Sequence, residues 1–120
     1  MTTGSRGLHV VVTLDCKSDF DTVRSFARDV AEACSSRHRE HLTTEQRMNK
    51  RQGRVVLDVM RNAYAQTAVA SYALRAKPGA PVATPLEWGE VAQGGLSAQQ
   101  YTLKNIFRRL DDKGDVWAQF

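Results

Sequence analysis

Hydrophobic and polar positions follow two different periods along this chain. Residues 7–14, GLHVVVTL, form a β-branched apolar run that predicts a buried strand. Its alternation puts Leu8, Val10, Val12 and Leu14 on one face and His9, Val11 and Thr13 on the other. Residues 54–59, RVVLDV, predict a second strand, with Val55, Leu57 and Val59 opposite Arg54, Val56 and Asp58. Between them the period lengthens. Phe20, Val23, Ala27, Val30, Ala31 and Cys34 make an apolar stripe at helical spacing, which predicts a helix over 18–36. Ser18 can cap it, with Asp21 three residues on as in a capping box.

The rest of the chain is less regular. Residues 37–53 are polar and basic, with a short helix around 44–50, and 62–73 are small and weakly helical. Leu74 to Lys77 reads as extended and ends at Pro78-Gly79, and Pro78, Pro81 and Pro85 space out a loop and short strand. A short helix fits 87–92, and Gly94-Gly95 breaks the pattern. Residues 102–112 predict an amphipathic helix with Leu103, Ile106, Phe107 and Leu110 on one face, stopped by Gly114. The expected fold is α/β, with a mostly antiparallel sheet flanked by helices 18–36 and 102–112. Antiparallel strands would bring His9, near the start of one, to Asp58, near the end of the other.

The 120 residues suit one domain, and 42% hydrophobic with 25% charged is ordinary globular composition. No apolar window is long enough to span a membrane, and no secretory signal precedes the first strand. Cys16 and Cys34 lie in no metal-like spacing, which fits free thiols in a reducing cytosol. The net charge of +4 permits nucleic-acid or nucleotide partners without demanding them. Its distribution is uneven: Arg37, Arg39, Arg47, Lys50, Arg51 and Arg54 face only Glu40 and Glu45 in the same segment.

Three places can carry chemistry. Gly4 and Gly7 allow a tight turn whose N–H groups form an anion nest, with Thr3, Ser5, Arg6 and His9 as further donors. The loop lacks the Gly-Lys-Ser/Thr of a Walker motif and enters a strand, so it also fits a plain strand-entry turn. Asp58, in an apolar run, needs either a partner such as an arginine or a divalent metal ion. Arg75 and Lys77, two apart in an extended segment, could hold phosphate oxygens or form a solvated basic edge. Other acidic and histidine groupings read as structural. Asp19-Phe20-Asp21 fits the first turn of a helix, and Asp111, Asp112 and Asp115 fit a solvated helix end. His38 and His41 have no third ligand nearby.

TTGSRGLHVVV, then TTEQRMNKRQGRVVLDVMRNA, then TAVASYALRAKPGAPVATPLEW resemble the polymerase domain of bacterial DNA ligase D, collinearly over nearly the whole chain. That domain belongs to the archaeo-eukaryotic primase superfamily and serves non-homologous end joining. The resemblance implies that Thr3, Gly4, Ser5, Arg6, Gly7 and His9 bind the triphosphate of an incoming nucleotide. It implies that Asp58 is a catalytic metal carboxylate, with His9 beside it, for Mn²⁺ or Mg²⁺. Arg75 and Lys77 are implied to contact nucleotide phosphates or the primer terminus, and Arg61 and Asn62 carry over only weakly. The family's Asp-x-Asp motif lies ahead of its Gly-rich loop, whereas this chain begins at the loop. Residues 1–120 are therefore expected to be the C-terminal part of such a domain, an incomplete half of the catalytic core.

Three functions follow as expectations. The first is a nucleotidyltransferase half that acts on DNA ends in the cytoplasm once a separate polypeptide supplies the Asp-x-Asp motif; a ligase is the other expected partner. The second is a non-catalytic nucleotide- or DNA-binding module. The third is a truncated remnant.

Overall fold

The computed structural model describes residues 1–118, which fall into two compact units. One is continuous, Leu14–Ala68. The other combines Met1–Thr13 with the chain from Val69 onward.

The continuous unit opens with helix α1, Phe20–Arg37. Its cap is Asp19, whose carboxylate accepts the Thr22 N–H at 2.8 Å, and not the expected Ser18. A carboxylate satisfies an orphan N–H and also places negative charge at the positive end of the helix. The Asp-x-Asp of this segment is thus a helix start, and the Thr22 bond holds the Asp19 carboxyl below the usual carboxylate range. The apolar stripe is only partly covered. Ala31 is buried and Val23 and Ala27 half-buried, whereas Val30 and Cys34 are exposed. Phe20 packs edge-on against Tyr64 with ring centres 5.9 Å apart.

Strands β1, Leu42–Thr43, and β2, Val55–Val56, pair in parallel, Leu42 with Val55 and Thr43 with Val56. They are joined through a 3₁₀ turn at Met48–Lys50, where the expected helix over 44–50 shrinks to three residues. The six-residue strand predicted over 54–59 also shortens. His41 and Thr43 carbonyls take the Val55 and Leu57 N–H groups, and then the Asp58 side chain accepts the Met60 N–H at 3.0 Å. That aspartate turn draws the backbone out of the ladder. Over 62–73, bends and turns at 62–65 and 71–72 with irregular backbone between them replace the weak helix.

The second unit is built around Pro81–Leu86, buried at every residue. Thr2 and Thr84 exchange backbone hydrogen bonds, 2.8 and 3.1 Å. Tyr72, Ala73 and Arg75 pair with Ala83 and Pro81 on one side, and Val82 donates to Tyr101. Helix α2, Trp88–Ala92, carries a capping box between Glu87 and Glu90. Helix α3, Ile106–Lys113, starts four residues later than predicted and ends at Gly114, φ +68°.

The expected antiparallel sheet is not formed. Among the described residues the one sheet is the parallel β1–β2 pair, and antiparallel contacts are isolated bridges: Thr2–Leu8, Leu74–Val82 and Pro81–Thr102. Two prolines in the central run lack the N–H groups a ladder needs. The strand predicted over 7–14 survives only as the Leu8 bridge, with Val10 77% exposed.

Candidate phosphate-binding site

Residues 2–8 form a tight hairpin. The Thr3 N–H donates to the Gly7 carbonyl at 3.1 Å, and the Thr3 hydroxyl donates to the same oxygen at 2.8 Å. Thr3 Oγ1 in turn accepts the N–H groups of Ser5, 3.2 Å, and Gly7, 3.3 Å. Two loop amides, those of Ser5 and Gly7, therefore converge, and they converge on the threonine oxygen. Gly4 is the residue the turn requires. Its φ is +62°, and a Cβ there would lie 2.7 Å from Arg75 Cγ and 3.3 Å from the Ala83 N and Val82 C atoms. Gly7 has no such need, since a Cβ would meet nothing within 4 Å.

Close approach at Gly4 brings the stem of Arg75 across the hairpin, 71 positions on in the sequence. Gln99 fixes the tip from the other side, donating Nε2 to the Ser5 carbonyl at 2.8 Å. Arg6 is exposed. Lys77 is placed differently from expectation. Its N–H bonds back to the Arg75 carbonyl at 2.8 Å, and its own carbonyl takes the Ala80 N–H. The segment turns at Lys77 instead of staying extended, because Pro78-Gly79 initiates the bend immediately after it.

His9 is half-buried, its backbone N–H bonded to the Met1 carbonyl at 2.9 Å. Asp58 belongs to the other unit and is exposed, so the burial that would have demanded a cation is not there. Among the described residues no three His, Cys, Asp or Glu side chains converge, so they do not by themselves form a divalent-metal site. Asn62 donates to the Val59 carbonyl and Arg61 to Gln66, both local contacts within the turns that follow β2.

Sequence reading missed a polar centre in the same unit as the hairpin. Arg109 is 8% exposed. Its guanidinium makes a bidentate pair with Glu90, donates to the Pro85 carbonyl at 2.8 Å and to the Tyr101 hydroxyl at 3.1 Å, and lies over the Tyr101 ring. Tyr101 donates its own proton to Glu90 at 3.1 Å. Each buried polar atom of this cluster has a partner, as burial requires. The Pro85 contact ties it to the central run, and Thr84, next in that run, holds Thr2. A signal was present: Arg109 lies three residues after Ile106, on the face of α3 that packs inward. Asp115 is exposed just past the end of α3, as expected of a solvated helix end, and it also has a partner there. It accepts the Tyr72 hydroxyl at 2.6 Å, and burial together with that bond pushes the Tyr72 hydroxyl above its ordinary range.

The Arg109 pair holds the Glu90 carboxyl down at about 2, from an ordinary value of 4.5. A carboxyl depressed in the folded state contributes stability that is present above its unfolded value and is lost as pH falls through the folded one. Thermal stability of the chain is expected to decline between about pH 4.5 and pH 2, and Glu90→Gln is expected to flatten that decline. A melting-temperature series against pH checks this; an equally steep acid limb in the variant would remove Glu90 from its cause.

Residues 1–117 match the model of the LigD primase-polymerase domain family. The multifunctional non-homologous end joining protein LigD of Mycolicibacterium smegmatis is 32% identical over 98% of this chain, and that of Pseudomonas aeruginosa 29% over 99%. The bifunctional end joining LigD of Bacillus subtilis is 27% identical over 98%. The chain spans only 14–19% of the length of these relatives. Among solved structures, the polymerase domain of Mycobacterium tuberculosis ligase D in complex with DNA has a TM-score of 0.80 at 24% identity. That match covers 88% of this chain and 36% of the other, and it supports the shared α/β fold.

Proposed function

The chain belongs to the LigD primase-polymerase family, and on that premise we propose that residues 1–120 supply the nucleotide-phosphate half of a DNA-repair polymerase acting in non-homologous end joining. The observation that carries the reading is the packing of Arg75 across Gly4. Two basic, phosphate-suited elements far apart in sequence lie side by side in one unit. A triphosphate docking there would accept from Arg6 and Arg75, and from the Ser5 and Gly7 amides once the Thr3 hydroxyl rotates away. Bidentate guanidinium contacts suit phosphate oxygens better than point charges do. His9 and Lys77 are secondary members of the site.

Asp58 is proposed as one carboxylate of a Mn²⁺ or Mg²⁺ site whose remaining ligands come from outside residues 1–120, either from contiguous sequence or from a separate polypeptide. DNA ends are the proposed second partner, and the cytoplasm the proposed compartment. By this reading the chain binds nucleoside triphosphate without extending a primer on its own.

The test is calorimetric titration of a nucleoside triphosphate into the chain, with and without Mn²⁺, repeated with Arg75→Ala and Asp58→Ala. Arg75→Ala is expected to weaken binding about tenfold, ~1.4 kcal/mol, in either condition. Asp58→Ala is expected to weaken binding of Mn²⁺ titrated alone and to leave metal-free triphosphate affinity unchanged. A folded chain with no triphosphate affinity would refute the reading and favour a remnant.

A further inference from the structure

A second anion site is suggested in the continuous unit. Ser35, Ser36, Arg39, Thr43, Thr44 and Arg54 line a cavity of about 230 Å³ where the end of α1 meets the starts of β1 and β2. Leu42 is its one apolar member. Two arginines and four hydroxyl-bearing residues therefore border one space, although the Ser35 hydroxyl is spent on the Glu32 carbonyl at 3.1 Å. Their existing bonds leave donors over. Arg54 uses Nε for the Arg51 carbonyl, 2.9 Å, and Nη2 for the Lys50 carbonyl, 3.3 Å. Thr43 Oγ1 accepts the Glu45 N–H at 3.1 Å, which leaves its proton free to donate.

Charge points the same way. Among the described residues no carboxylate forms an ion pair with Arg37, Arg39, Arg47, Lys50, Arg51 or Arg54. Of the two acids in the segment, Glu40 is exposed and Glu45 accepts the Arg47 N–H at 2.9 Å, with Lys50 and Arg47 as its nearby charges. Size then selects the ligand. The cavity falls below the ~300–1,000 Å³ of sites that enclose drug-sized molecules, and it offers no aromatic surface on which a base could stack. It suits a single phosphate group whose nucleoside stays outside. Further cations on either side in the sequence, Arg37, Arg47, Lys50 and Arg51, suit the neighbouring phosphates of a polymer.

We propose that this pocket seats one backbone phosphate of DNA. The proposal deepens the DNA-binding part of the function above and does not involve the triphosphate hairpin. The alternative is that the guanidiniums merely complement the carbonyl end of α1, where cations are favourable.

The experiment measures binding of the full chain to a labelled duplex with a 3′ overhang across a salt series, for the parent, Arg39→Gln, Arg54→Gln and Arg54→Lys. Loss of one phosphate contact is expected to weaken binding about threefold to tenfold at low salt and to reduce the slope of log K against log salt by about 1. Arg54→Lys is expected to keep most of that slope. Arg39, exposed in a turn, keeps the test usable if Arg54→Gln does not fold. A lower melting temperature with an unchanged salt slope would assign the guanidiniums to the helix end and overturn the proposal. So would inorganic phosphate competing as well as an oligonucleotide does, since that marks a free-anion site. Failure here leaves triphosphate binding untouched, and failure of triphosphate binding leaves this salt slope untouched.

Discussion

Replacing Arg109 by alanine is expected to destabilise the unit that carries the hairpin by about 3 kcal/mol, because it strands the largely buried Glu90 carboxylate. Glu90 would lose both guanidinium bonds, and the Pro85 carbonyl and Tyr101 ring would lose their contacts. At ~4–8 °C per kcal/mol for a small domain, the melting temperature should drop by about 10 °C or more. Removing both charges together is expected to be milder. Arg109→Met with Glu90→Leu leaves no uncompensated ion, and such apolar replacements are often neutral. The double variant should therefore melt above Arg109→Ala. If Arg109→Ala costs less than about 1 kcal/mol by chemical denaturation, Glu90 must reach solvent and the cluster does not organise this unit.

Gly4→Val should cost the hairpin its shape and the chain its triphosphate affinity. A β-branched residue at φ +62° carries a penalty of roughly 1–2 kcal/mol before any contact is counted. The added side chain also meets Arg75 Cγ and the backbone of Val82 and Ala83, so Arg75 must swing off the loop. Binding is expected to weaken at least about tenfold, or ~1.4 kcal/mol. Gly7→Val is the internal control: with open space around its Cβ, it should stay within about 0.5 kcal/mol of the parent. Equal triphosphate affinity in Gly4→Val and the parent would move the anion site away from the hairpin.

The helices were the most legible part of this chain, and for local reasons. The stripe from Phe20 to Ala31 and the stop at Gly114 need only neighbours in sequence to act. The shift from Ser18 to Asp19 is one residue, decided by which oxygen reaches the third N–H. Strand signals fared worse because β-branched runs report a preference that only a partner strand can fulfil. Val10 and Val12 are exposed where such a run predicted burial. At Asp58 the polar residue in an apolar run ended the strand with its own side chain, a competition that alternation cannot reveal. The pairing of Arg109 was illegible for a different reason. Its spacing from Ile106 marks the inward face of α3, but its partners Glu90 and Tyr101 come from separate elements, so the helix pattern does not show how a buried arginine there is paired. In the hairpin, Gly4 was read correctly as a turn residue, but the capture of the amides by Thr3 depends on a side-chain torsion that sequence does not encode.

The Thr2–Thr84 exchange has a consequence for polymer entropy. It joins residues 82 positions apart, and the whole continuous unit lies within the span it closes. Closure of so long a segment raises the barrier to folding, because the search must finish before Thr84 can reward it. At equilibrium the same closure depends only logarithmically on length, with about 0.6 kcal/mol for each doubling. Lengthening an exposed turn between Leu14 and Ala68 should therefore slow assembly of the hairpin unit far more than it weakens the finished fold.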